Sequence, residues 1–207
     1  MGLLGFALRI GGAAVALCLS TPSPAQIHVN LYNHVGVARQ VVNEARRDAD
    51  RILLSAGVRL TWSDCNPSES DADSCVFAGP ATLLLRLYPT AAEGRFPVDP
   101  KAFGFALSQP PPNQGYYVGV FYHRVEALAL RDHIRAGPLL GHVIAHEIGH
   151  LLLGGGGHAA DGIMKFPWRR KDLGLLQRGM LLFHLRQRKI IMGNVAARLS
   201  VAKPAID

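Results

Sequence analysis

The residues that decide the fold are His146-Glu147-Ile148-Gly149-His150-Leu151-Leu152-Leu153, then four glycines from Gly154 to Gly157, then His158, then Gly162-Ile163-Met164. Two histidines four apart lie one turn apart on the same face of a helix, so both imidazoles can reach one ion. Glu147 stands beside them, placed to take a proton from water held there. Two neutral imidazoles suit zinc, and a catalytic zinc needs a third protein ligand with the fourth position open. The glycines end the helix and can adopt the left-handed turns that bring the chain back toward it. His158 follows that return and is the first choice for the third ligand. Gly162-Ile163-Met164 is a tight turn able to set a methionine beneath the metal.

Two other third ligands compete. Asp161 could replace His158, although imidazole is the commoner zinc ligand in a site of this kind. His142 extends the same helical stripe by one turn, but a third ligand on one straight helix does not easily close a tetrahedron. It is expected to face the core. No glutamate follows Glu147, which argues against a downstream Glu ligand.

These motifs resemble those of the metzincin metallopeptidases, and more closely a group of short secreted bacterial metzincin-like proteins. The resemblance implies an α+β, zincin-like single domain: a five-stranded mixed sheet, an active-site helix, a Met-turn and a C-terminal helix. It implies one zinc ion per chain on His146, His150 and His158, Glu147 as general base, and Met164 as the floor of the site. It also places Phe166, Pro167 and Trp168 along a substrate pocket. The spacing departs from the family pattern, which has two residues before the glycine and two between it and the third histidine. Here there are three and three, so the return loop is wider. Phe166 stands where some metzincins carry a tyrosine.

The surrounding elements, read from their own periodicity, agree with that architecture. Residues 27–31 alternate as a first strand. Val37, Val41, Ala45, Ala49 and Ile52 recur every three to four residues, a helix stopped by Gly57. Strands are expected over 58–62, 82–88, 103–107 and 117–122, with 103–107 as a sheet edge to which an extended peptide could add. A mixed segment leads to Gly137. The helix opened by Pro138 should run to about Leu153. One further helical pattern covers 172–188 and continues irregularly to Leu199. Tyr116, Tyr117 and Tyr122 are candidate hydrogen-bond donors to a transition state, while His123, His133 and His184 read as isolated.

Composition limits the function classes. The chain has 207 residues, 49% of them hydrophobic and 18% charged, which suits one packed domain and excludes disorder. Arg9, the apolar residues 10–19 and the small residues up to Ala25 read as an export signal cleaved near Ala25. Residues 1–25 are therefore expected as leader and 26–207 as the catalytic domain. The apolar run is well short of the roughly 18 residues that span a bilayer, so no stable membrane span is expected after cleavage. Removing the leader leaves two cysteines, Cys65 and Cys75, flanking an acidic loop. In an oxidising compartment they should pair, contributing about 3 kcal/mol by closing the loop. With 22 Lys and Arg against 15 Asp and Glu the chain is basic, but export argues against nucleic acid as its partner. Arg169, Arg170 and Lys171, like Arg186, Arg188 and Lys189, are expected on solvated helix faces.

The expectation is a secreted or periplasmic zinc-dependent endopeptidase acting on peptide or protein. Two alternatives stand beside it: a non-catalytic, zinc-binding structural protein, and a metallohydrolase acting on something other than peptide.

Overall fold

The computed structural model describes residues 23–65, 75, 79–89, 96, 98–107, 115–155 and 157–201. The expected leader, apart from residues 23–25, and the loop between the two cysteines lie outside the described residues.

Strand β1 (Ala25–Asn33) buries Ile27, Val29 and Leu31 on one face. It starts two residues before the expected point, and the Ala25 N–H donates to the Gly57 carbonyl. Helix α1 (Arg39–Leu54) buries Val42, Ala45, Ala49, Ile52 and Leu53. Val41, expected on that face, is half-buried. Strands β2 (Val58–Asp64), β3 (Thr82–Tyr88), β4 (Gly104–Leu107) and β5 (Tyr117–Phe121) complete a sheet of order β2-β1-β3-β5-β4. β1, β2, β3 and β5 are parallel, and β4 runs antiparallel to β5 at one edge. The mixed five-stranded sheet and the edge position of the fourth strand match expectation.

The helical part is richer than expected. Tyr122, expected to end the fifth strand, and residues 123–131, read as part of a mixed segment, form α2 (Tyr122–Arg131) directly after β5, with no side-chain cap at its start. Helix α3 (Ala136–Leu152) is the expected central helix. The single helix expected over 172–188 is instead two, α4 (Arg170–Gln177) and α5 (Leu185–Val201). Gly179, at φ +69°, breaks it, and Leu181 and Phe183 are drawn into the core from the extended connection. Asp172 ends the ambiguity at the other side: its carboxylate accepts the Arg169 N–H at the N-terminus of α4.

α3 packs against α1 and against β4 and β5, while α1 also packs on β2, and the apolar residues of α3 join those of α1 and β1, β3 and β5 in one core. A Cβ on Gly141 would stand 2.6 Å from the Ala45 carbonyl oxygen, so glycine lets the two helices approach closely. Leu139, Leu140 and Val143 are buried to within 1%, each contributing roughly 1.5–3 kcal/mol by leaving water. Cys65 and Cys75 are joined in a disulfide with Cα atoms 5.6 Å apart. Among the described residues no helix is long and apolar enough to cross a membrane.

Candidate metal centre

The centre is built on the last two turns of α3. His146 and His150, one turn apart, bring their Nε2 atoms to 3.1 Å. His146 Nδ1 lies 2.7 Å from the Ile163 carbonyl oxygen. A carbonyl only accepts, so Nδ1 carries the proton and Nε2 presents a lone pair. Burial, with the neighbouring His150 adding to it, lowers the His146 pKa to about 3, so this ring is neutral near pH 7.

The chain then returns as the glycines allow. Gly154 and Gly155 have φ +78° and +80°, a conformation that L side chains rarely adopt. The Gly155 N–H donates to the His150 carbonyl, and the Ala159 N–H to the Met164 carbonyl at 2.8 Å, closing the loop that carries His158. The His158 ring stacks on Phe166, with centroids 5.0 Å apart. One nitrogen each of His146, His150 and His158 lie within 4.8 Å of one another. Burial lowers the pKa of His158, while the charge of Asp99 acts in the opposite sense. Asp161 points elsewhere: it is 74% exposed and its Oδ1 lies 2.6 Å from His184 Nε2. His184, read as isolated, is thus tied to the turn. His142 is fully buried and its Nδ1 donates to the Pro138 carbonyl at 2.7 Å. It takes no part in the cluster.

Glu147 is buried beside the histidines, and burial alone pushes its pKa up to about 8. Its carboxylate lies against β4. A Cβ on Gly104 would come within 3.0 Å of Glu147 Oε1 and 2.4 Å of the Gly119 carbonyl. Gly104 therefore makes room for the acid, a role that no pattern in the sequence signals. Beneath the helix, a Cβ on Gly149 would meet Met164 Sδ at 2.6 Å. Met164 is fully buried there.

All three histidines and Glu147 open on one cleft of about 250 Å³. Its walls are β4 with the preceding Phe103 on one side and Phe166 and Trp168 on the other. Phe103 stacks on Trp168 at 6.2 Å. Trp168 Nε1 donates to the Ile163 carbonyl, the oxygen that orients His146. Lys165 also lines the cleft, but its ammonium is paired with buried Asp172. Pro167 is exposed and does not line it. Nor do Tyr116, Tyr117 and Tyr122; the Tyr117 hydroxyl is bonded to that of Tyr88 on the sheet.

The donor set fits a divalent transition metal: three imidazoles, a buried carboxyl group beside them that a cation would ionise, and the nearby ammonium already paired. Sequence reasoning missed Gly104 and the Ile163 carbonyl, which depend on contacts between separate segments, and the Lys165–Asp172 pair, which forms locally where the turn runs into α4.

No protein-family model matches the chain, and no curated protein matches it in sequence. Among solved structures, the crystal structure of archaemetzincin from Methanopyrus kandleri is similar, with a TM-score of 0.48 and 17% sequence identity. The match covers 85% of this chain and 99% of that one.

Proposed function

We propose that this chain is an exported, zinc-dependent endopeptidase of metzincin-like design, with a leader ending near Ala25. The observation that carries the reading is the convergence of three imidazole nitrogens within 4.8 Å in a cleft that also holds Glu147 and runs along a sheet edge. His146, His150 and His158 would hold one zinc, and Met164 would floor the site. Zinc, when bound, supplies Lewis acidity that lowers the pKa of water and polarises a carbonyl. The chain's own residues do the rest. The Ile163 carbonyl fixes the His146 ring. Glu147, whose ionised form the charge of a bound zinc would favour, takes the proton from the attacking water and delivers it to the leaving amine. The outer edge of β4 pairs with the main chain of an extended substrate. Phe103, Phe166 and Trp168 form an apolar wall for one of its side chains.

The structural-zinc alternative needs a fourth protein ligand to close the shell. Asp161, its best candidate, is engaged with His184, and among the described residues the cluster has three members. The test is elemental analysis of the purified protein together with cleavage of a mixed peptide library. One zinc per chain, lost in His158→Ala and kept in Asp161→Ala, with peptide cleavage, is the expected result. Zinc lost only in Asp161→Ala would overturn the ligand set. Zinc bound without cleavage of any peptide would overturn the peptidase reading.

A further inference from the structure

The last helix carries a surface that the catalytic reading does not use. Nine large apolar side chains stand exposed among the described residues, and five of them lie between residues 180 and 201. They are Met180 at 62%, Leu185 at 68%, Ile190 at 39%, Met192 at 51% and Val201 at 76%. At 100° per residue, Leu185 and Lys189 fall on one line of α5, and Arg186 and Ile190 on the next, while Met192, at the inner margin of this face, rests against Gly57. Ile191, Val195 and Arg198 face the opposite way and are buried. α5 is therefore apolar on both sides, and its outward side interleaves long apolar residues with Arg186 and Lys189, both exposed. Between Lys165 and Val201 the one acidic residue is Asp172, and it is buried against Lys165. No carboxylate on α5 offsets the positive charge.

We propose that the outward face of α5, with Met180 at its head, docks onto an anionic phospholipid surface. Apolar side chains can enter the headgroup boundary while Arg and Lys stems keep their charges at the phosphates. Charge complementarity selects this occupant. A second copy of the chain would set Arg186 and Lys189 against their own kind. A neutral apolar partner would leave them without counter-charge. Because α5 lies outside the cleft-lining residues, docking would leave the cleft open, and the inference stands whether or not the centre proves catalytic.

The test is co-sedimentation of the full chain with vesicles of phosphatidylcholine, with and without about 30% phosphatidylglycerol. The expected result is preferential binding to the anionic vesicles, released by 0.5 M salt as a contact among exposed charges should be. Arg186→Glu with Lys189→Glu should weaken binding at least tenfold, and Leu185→Ser with Ile190→Ser several-fold. Arg131→Glu at the end of α2 serves as the control and should change little. Unaltered thermal unfolding of each variant shows that the fold is intact. Equal binding to both vesicle types, as the apolar residues 10–19 alone would give, would overturn the proposal. So would equal binding by parent and double Glu variant. Polyglutamate that competes as well as the vesicles would make an acidic protein the partner, and loss of a dimer in the Ser variant would make it a second copy. Either outcome replaces the lipid assignment.

Discussion

Helices α3 and α5 are both 17 residues long, yet they solve opposite problems. α3 buries fourteen of its residues, between α1, the sheet and the turn that carries Met164; α5 buries three. In α3 a polar group can therefore be answered only from within the protein, and the buried Nε2 of His142 is left without a hydrogen-bond partner among the described residues. His142 Nδ1 finds the Pro138 carbonyl, His146 finds Ile163, and Glu147 lies in the space Gly104 leaves. In α5 it is the apolar residues that remain unanswered, on the side facing water. Complete burial makes a helix a precise holder of reactive groups, whereas one-sided burial leaves a helix free to meet something outside.

The sharpest way to break this contrast is at Glu147. Under the peptidase reading Glu147→Ala should lower peptide turnover by about 100- to 10,000-fold while the metal content stays at that of the parent; an unchanged rate would remove the general base. Next comes packing. Leu139→Ala, on a fully buried site of α3, should cost about 2–5 kcal/mol in denaturant unfolding. Leu185→Ala on the outer side of α5 should stay within about 0.5 kcal/mol. Similar costs at the two sites would refute the distinction in burial.

His142 offers a third, pH-dependent test. Burial lowers its pKa from 6.5 to about 4, opposed by the Pro138 carbonyl and Asp48 and slightly reinforced by Arg51. Below 6.5 the unfolded chain takes up a proton that the folded one refuses until about 4. Stability should thus fall as pH drops through that window. A His142→Gln variant should show a shallower decline in urea titrations over the same range; an identical slope would locate the sensitivity elsewhere. The smallest expected effect is at Asp132, whose pairing with Arg131 is at the surface: Asp132→Asn should change stability by less than about 0.5 kcal/mol.

How far the fold could be read in advance followed the strength of local signals. β3 has its expected ends because a short Leu-rich run, residues 83–87, is closed by Pro89. α2 was hidden because its first residue continues the apolar run of β5, with neither a capping side chain nor a glycine between them. The α4–α5 break was hidden because Met180, Leu181 and Phe183 prolong a helix-like apolar pattern through an extended connection. At the site, the spacing of His146 and His150 is a property of one helix and was legible. The choice of His158 over Asp161 depends on the path taken through the glycines, and on His184 reaching Asp161 from beyond α4. The clearance at Gly104 needs β4, more than forty residues away in the chain, to be in place.

The Ile163 carbonyl has a longer reach than its two hydrogen bonds. It receives both His146 Nδ1–H and Trp168 Nε1–H, so one oxygen holds a ring of the histidine cluster and a wall of the cleft. Replacing Trp168 would leave the Ile163 carbonyl to His146 alone, so a change in what the cleft accepts would also alter the surroundings of the oxygen that orients this ring. The wall of the cleft and the histidine cluster are thus joined through one backbone atom.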